Sequence, residues 1–526
     1  MNQFNHRGLA KLSRTYGGLL HLRLGLSHHF IVSSPQIARQ ILQVQDHVFS
    51  NRPTTIAIRY LTYGQSDLAF SNYGPFWRRM RKLYVMMLFS RKRAESWVSV
   101  DQEVHKAVRF VASNVEKPLN LNKLAFSLTR DITFRAAFGS SSSTSDEGRL
   151  NEFLEIIHEF SKLFGAFNVA DYVPSWLSWI DPQGINKRAE KARKSLDSFI
   201  ESIINDHLHK KKTEHNVDDE TDMVDQLLAL YKEEVNDNDS EARINLDHIK
   251  GIIMDVMFGG TETVALAIEW VLTELLRSPE NMKRVQDELA TVVGLERWSV
   301  EDTHLEKLTF LKCVLKETLR LHPPFPLLLH EPVEDAVVSG YSIPKGSRVI
   351  VNSYALGRDP DSWSDPEIFK PSRFLDTGAP DLIGNSFEFI PFGSGRRSCP
   401  GMQLGMYAFE LAVAHLLHCF TWTLPDGVKS GDVDTVEGPG ISVPKANSLV
   451  ALNPAAIAAE SSQHHLNLLA SASSVATTTA VTASIINTAS VDLSSVYTSA
   501  AAPINSFISP GLRSSSQLKR AQGESA

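Results

Sequence analysis

Cysteine is scarce in this chain. Its 526 residues hold three, Cys313, Cys399 and Cys419, with no CxxC pair. One thiol stays unpaired under any scheme, so a disulfide scaffold does not build this fold. HExxH is absent and the histidines show no zinc-ligand spacing, which removes the common zinc-enzyme signatures. No run of about 20 apolar residues is present to span a bilayer, and the polar start Met1-Asn2-Gln3-Phe4-Asn5-His6-Arg7 is no signal peptide. The expectation is a chain without its own membrane anchor. A strong charge of one sign is also missing: the net charge is −7, which makes no case for nucleic acid as a partner.

What is there is apolar enough, at 43%, for a sizeable core. Length alone allows several domains, but the patterning favours one helical domain over residues 1–454. A tail over 455–526 follows, rich in Ala, Ser, Thr and Val without turn signals, for which disorder and no function are expected. Periodicity predicts a helix over 8–16, strands over Leu19–Leu24 and near His29–Val32, and a helix from Ser34 to Gln43. Asn51–Asn72 has no clean period and reads as an ordered loop. Residues 100–205 read as amphipathic helices carrying an aromatic stripe, Phe160, Phe164 and Phe167. The charge-rich stretch 209–243 reads as an exposed loop. Cys313 and Cys419 fall on apolar helix faces and are expected in the core.

Pro391-Phe392-Gly393-Ser394-Gly395-Arg396-Arg397-Ser398-Cys399-Pro400-Gly401 is the densest run of special residues, and a helical segment, Gly401–Cys419, follows it. A cysteine at a helix start meets unpaired amides and the positive end of the dipole, which favour a thiolate. Pro400 suits a first helical position. Gly393 and Gly395 allow a tight turn, and Gly401 allows close approach to a flat ligand. Phe392 can lie over such a ligand and Arg397 can reach a carboxylate at its rim.

The long periodic stretch Asn245–Arg277 contains Phe258-Gly259-Gly260-Thr261-Glu262-Thr263 at its middle. Two adjacent glycines there cost about 1 kcal/mol each against alanine. They give in return space and a distortable turn. Val256, one turn earlier, is expected on the same side. Trp77 and Arg81, four apart on a helix, share a face, as do Glu317 and Arg320. Pro323–His330 reads as extended, and Gly440–Lys445 as a hairpin tip.

The spacing Phe392, Gly395, Arg397, Cys399 and Gly401 resembles the haem-binding signature of the cytochrome P-450 superfamily. The resemblance implies a mainly α fold with small β-sheets, holding haem b between a long central helix and the helix after the cysteine loop. It implies Cys399 as the axial ligand of the iron, which supports O–O cleavage. Trp77, Arg81, Arg397 and His330 fall where relatives hold the haem propionates. Gly259–Thr263 resembles the superfamily's oxygen-handling motif, with Val264 in place of its last hydroxyl residue. Thr263 is then the hydrogen-bond donor to the oxygen substrate and Glu262 the proton relay from solvent. Glu317, Arg320 and Arg373 resemble its structural Glu–Arg–Arg triad. The substrate candidates it suggests are Phe164, Phe167, Val256, Leu327, Leu328 and Ile441. Electrons would come from NADPH through NADPH-cytochrome P-450 reductase, docked on the basic patch of Arg78, Arg79, Lys82 and Arg91-Lys92-Arg93. The family location is the cytosolic face of the endoplasmic reticulum. Plant members usually carry an anchor and a proline-rich hinge; the sequence lacks both, so soluble or peripheral behaviour is expected.

Most of residues 8–450 is similar to the plant ferulate 5-hydroxylase (coniferaldehyde 5-hydroxylase) family, most clearly at Phe49-Ser50-Asn51-Arg52-Pro53, Leu88–Trp97, Phe160–Phe167, Asp255–Thr263 and Asn385–Gly405. That similarity implies O2- and NADPH-dependent 5-hydroxylation of guaiacyl phenylpropanoids. A hydroxylase of another phenolic, such as a flavonoid, and an inert haem-binding protein are the alternatives.

Overall fold

The computed structural model describes residues 5–89, 94–139, 147–177, 179–213, 222–235 and 243–456. Six helices position the site: α1 (Pro75–Tyr84), α2 (Leu121–Phe138), α3 (Glu147–Phe164), α4 (Leu246–Arg277), α5 (Thr309–Leu321) and α6 (Met402–Cys419). Helix α4 starts where the Asn245 side chain accepts from the His248 amide at 2.8 Å and the Asn245 amide donates to the His248 ring at 3.2 Å. That reciprocal cap satisfies two orphan donors. From there 32 residues run unbroken, about 48 Å at 1.5 Å per residue.

Helix α4 is buried nearly all round, with Ile249, Val271, Leu272 and Leu275 fully inside. It packs along α2 and also against α5 and α6, which makes it the axis of the main core. By length and apolarity α4 would pass for a membrane span, contrary to the sequence expectation, but two thirds of its most apolar stretch is covered by protein. A core helix apolar on every side has that composition.

Beside the helices lies a four-stranded sheet of order β1-β2-β4-β3, from β1 (Leu19–Leu24), β2 (Ser27–Val32), β3 (Leu327–His330) and β4 (Arg348–Asn352). The β2–β4 pair is parallel and the outer pairs are antiparallel. Strand β3 matters most for the site. Its pairing of Leu328 with Val351 and His330 with Val349 fixes the extended run that carries Leu327, Leu328 and His330.

Three expectations change. The presumed loop Asn51–Asn72 contains a helix, Ile56–Leu61, because Thr55 caps the Ile58 amide and Ala57, Ile58 and Leu61 bury one face. The charged stretch 209–243 is largely helical where it is described: Ile185–Thr213 runs into it and Met223–Val235 follows. Buried Met223, Val224, Leu227 and Leu228 form an apolar stripe there that the neighbouring charges conceal. The last strand, Val450–Ala456, passes the expected boundary at 454 by two residues; the rest of the tail lies outside the described residues.

Candidate active site

A cavity of about 380 Å³ opens between α4, α6 and the loop 391–401. On the loop side, Gly393 and Gly395 both adopt φ of +70°, the left-handed region. A Cβ on Gly395 would also stand 2.4 Å from the Leu42 carbonyl oxygen and 2.8 Å from the Asp46 carboxylate, so only glycine fits. Next to it Arg396 pairs with Asp46 at 2.6 Å. The Cys399 amide closes the turn by donating to the Phe392 carbonyl at 2.9 Å. Gly401 is the cap and α6 begins at Met402, so Pro400 stands just before the helix and not at its first position.

Cys399 borders the cavity and is exposed. Burial raises its thiol pKa, while the Gly401 amide and the Arg81 guanidinium pull it down. The helix-start argument for a thiolate is therefore only half right. The protein supplies the amide, but burial outweighs it. Cys313 and Cys419 are in the core, as expected.

On the α4 side, Val256, Gly259, Gly260, Thr263 and Val264 line the cavity. Thr263 Oγ1 donates to the Gly259 carbonyl at 2.7 Å and the helix is not distorted there. The two glycines have different causes. A Cβ on Gly259 would meet nothing within 4 Å, whereas one on Gly260 would lie 2.7 Å from Thr133 Oγ1 and 3.0 Å from its Cγ2. Gly260 thus lets α2 approach, and Gly259 keeps the cavity wall flat. Gly260→Ala should cost about 1–3 kcal/mol through overpacking. Gly259→Ala should leave the apoprotein as stable or about 0.5–1 kcal/mol more so while lowering haem content. Urea unfolding of both variants, with haem counted by absorbance, checks the contrast.

The rim carries buried cations. Arg397 donates to the carbonyls of Ser50 at 2.7 Å, Ser71 at 2.6 Å and Leu68 at 3.3 Å. Arg81 donates to the Ser398 carbonyl at 2.7 Å. Arg52 donates to the carbonyls of Ala69, at 3.1 Å, and Leu329. Burial lowers all three, Arg52 to about 10 and Arg397 to about 9. Among the described residues none of the three forms an ion pair. Guanidiniums held by backbone carbonyls at the border of a cavity suit a flat ligand with carboxylates at its edge. A cysteine opposite a Cβ-free helix face completes the fit to haem. His330 Nδ1 donates to the Phe49 carbonyl at 2.8 Å, and burial followed by the Arg52 charge holds its pKa well below the usual value. His330 is therefore neutral. Trp77 borders the cavity with its ring, since its Nε1 is committed to the Leu68 carbonyl at 3.1 Å.

Phe392, Arg397, Gly401, Leu327, Leu328 and Ile441 also border the cavity. Phe164 and Phe167 do not. Phe164 stands behind Phe70, stacked at 5.1 Å, and Phe167 stacks on Tyr172 at 4.7 Å. Glu262 is also absent from the wall and only 1% exposed, a placement at odds with a direct relay from solvent. Below the site, both Glu317 oxygens accept from Arg320, at 2.7 and 2.8 Å, and Oε1 accepts from Arg373 at 3.1 Å. Arg320 also donates to the Gly357, Pro366 and Ile368 carbonyls. Arg91, Lys92 and Arg93 lie outside the described residues.

Among the wall residues that sequence reasoning missed are Arg52, Phe70 and Asp255. Asp255 had a usable signal: it lies eight residues before Thr263, on the same helix face. It accepts from the amides of Leu68 at 2.6 Å and Ala69 at 3.3 Å beside buried Asp67. Burial raises Asp255 to about 7 and, together with the Asp255 charge, holds Asp67 well above the carboxylate range. An acid whose folded value exceeds its unfolded one keeps its proton in the fold after the unfolded chain has lost it. Stability should therefore fall as pH rises from about 4 to 7, by up to about 1.4 kcal/mol per pH unit for one such group. Asp255→Asn, which keeps an acceptor for the amides, should flatten that slope by about one proton between pH 5 and 7. Urea midpoints across the range measure it, and an unchanged slope would contradict this assignment.

A cysteine on the cavity wall, a flat helix face and a cationic rim fit a haem-thiolate site, and the comparisons agree. The chain belongs to the cytochrome P450 family, whose family model matches residues 1–451. It is 84% identical over 453 residues to cytochrome P450 84A4 of Arabidopsis thaliana and 62% identical over 462 residues to cytochrome P450 84A1 of the same plant. Each match covers 86% of this chain and 88% of the relative. A zebra fish cytochrome P450 solved with progesterone superposes with a TM-score of 0.71 at 25% identity, over 86% of this chain and 99% of that one. The protein is accordingly a monooxygenase that uses haem b, O2 and electrons from NADPH supplied through a reductase.

Proposed function

We propose that this monooxygenase hydroxylates the 5-position of guaiacyl phenylpropanoids, namely coniferaldehyde, coniferyl alcohol or ferulate, on the route to syringyl lignin. The observation that carries the reading is the Asp255–Thr263 stretch, shared with the ferulate 5-hydroxylase family, which forms one wall of the cavity. Facing side chains Leu327, Leu328, Phe70, Phe325 and Ile441 make an apolar slot suited to a planar ring.

In this reading Cys399 would ligate the haem iron, and Arg52, Arg81, Arg397 and neutral His330 would hold the carboxylate edge. The haem supplies oxygen activation and ring oxidation when bound. The protein's own residues do the rest. Apolar side chains exclude water and orient the ring, and Thr263 offers its Oγ1 proton at the cavity surface after releasing the Gly259 carbonyl. Glu317 with Arg320 and Arg373 fixes the segment 364–370 beneath the site. Arg78, Arg79 and Lys82 form the described part of a docking patch for the acidic reductase. The chain works at the cytosolic face of the endoplasmic reticulum, and the tail beyond 456 takes no part in the chemistry.

Incubation of the full chain with reductase, NADPH and coniferaldehyde tests the proposal. Mass spectrometry should find the 5-hydroxylated aldehyde. Product from a flavonoid and none from the three guaiacyl compounds would overturn it.

A further inference from the structure

Glu262 belongs to a polar knot that the haem site does not explain. Its carboxyl bonds the hydroxyls of Ser161, on α3, and Ser442. Those two hydroxyls lie 2.6 Å apart, and the Ser161 carbonyl accepts from the Ile441 amide at 2.9 Å. All three side chains are buried, with Glu262 1%, Ser161 3% and Ser442 0% exposed. The backbones approach closely here: a Cβ on Gly165 would stand 2.4 Å from the Gly440 carbonyl carbon, and one on Gly440 would stand 2.7 Å from Ser161 Oγ. On the other side the Val443 amide donates to the Pro324 carbonyl at 3.1 Å, and Trp270 donates to the Val443 carbonyl at 3.2 Å. The segment 440–443 is thereby held from both sides, and the side chain it delivers to the cavity wall is Ile441.

We propose that Glu262 is a positioning residue: through Ser161 and Ser442 it fixes the 440–443 tip, and so decides how large a ligand fits against Ile441. The adjacent Thr263 faces the cavity while Glu262 faces away, since consecutive residues on a helix point about 100° apart. The two hydroxyls still bond each other at 2.6 Å, so removing the carboxyl strands one buried O–H, and the tip must shift or admit water to satisfy it. Burial raises Glu262 to about 7 against the pull of both hydroxyls. A neutral glutamine is consequently a fair substitute for it.

The inference rests on the haem-binding reading of the cavity but not on the choice of phenolic substrate. The test uses the full-length holoprotein and two probes that ligate haem iron, imidazole, which is small, and 4-phenylimidazole, which must fit against the wall. Both are titrated by the Soret shift. Glu262→Ala should weaken 4-phenylimidazole about tenfold, as expected for one buried unsatisfied group, and leave imidazole within about twofold of the parent, below 0.5 kcal/mol. Glu262→Gln should restore the larger probe to within about twofold. Ser442→Ala, which removes one hydroxyl and keeps the acid, should show the same selective loss and serves if Glu262→Ala takes up no haem. Unchanged 4-phenylimidazole affinity in the folded variants overturns the proposal. So does a Glu262→Gln variant that fails to restore it. If the parent protein binds neither probe, the haem reading fails instead.

Discussion

Cys399→Ala is expected to bring hydroxylation down to the level seen without enzyme, while the fold survives. The Cys399 side chain meets the Gly401 amide and the Arg81 charge, and it faces the cavity. Its removal therefore costs no core packing. Because Arg52, Arg81 and Arg397 are positioned by backbone carbonyls and not by the cysteine, the variant should keep part of its porphyrin affinity. The chemistry should vanish all the same, since the axial thiolate is what favours O–O cleavage. Product assays by mass spectrometry, with circular dichroism of the same sample, check both halves. Retained turnover at even a few per cent of the parent would contradict the assignment of Cys399.

Glu317→Ala is expected to have the largest effect on stability. Glu317 and Arg320 are 0% and 1% exposed, and the carboxylate also accepts from the Lys370 amide at 2.7 Å. Deleting the acid leaves a buried guanidinium without its counter-charge, which costs about 3–5 kcal/mol. Arg373→Ala should cost less, about 1–3 kcal/mol, because its loss leaves the Glu317–Arg320 pair intact. Urea midpoints should rank the parent above Arg373→Ala and both above Glu317→Ala. Equal midpoints for the two variants would show that the inner pair does not act as the anchor.

Much of this was legible in the sequence, and the failures have identifiable physical causes. The Asn245 cap, the length of α4 and the glycine turn before Cys399 follow from local rules, and local rules were enough. The helix Ile56–Leu61 was missed because its signal is three apolar residues and one threonine cap, too short to stand out among aromatics and glycine. The Met223–Val235 helix was hidden because its apolar stripe is flanked by charges that dominate the composition. Phe164 and Phe167 lie on the expected stripe, but periodicity cannot tell a wall from the layer behind it, and Phe70 takes the front position. Arg52 and Asp255 reach the cavity through tertiary approach: Arg52 is aimed by β3, and Asp255 is capped by amides nearly 190 positions away in sequence. The sign of the Cys399 shift was misjudged for a similar reason, since a helix start is local and burial is not.

Cys399 is the residue that would ligate the haem iron, and everything proposed for the cavity depends on it. The absorption spectrum of the reduced, carbon monoxide-bound, full-length protein reports that bond directly. A Soret band shifted strongly to the red is the expected result. A band at the position typical of nitrogen-ligated haem, or no haem absorbance at all in correctly folded protein, would contradict it.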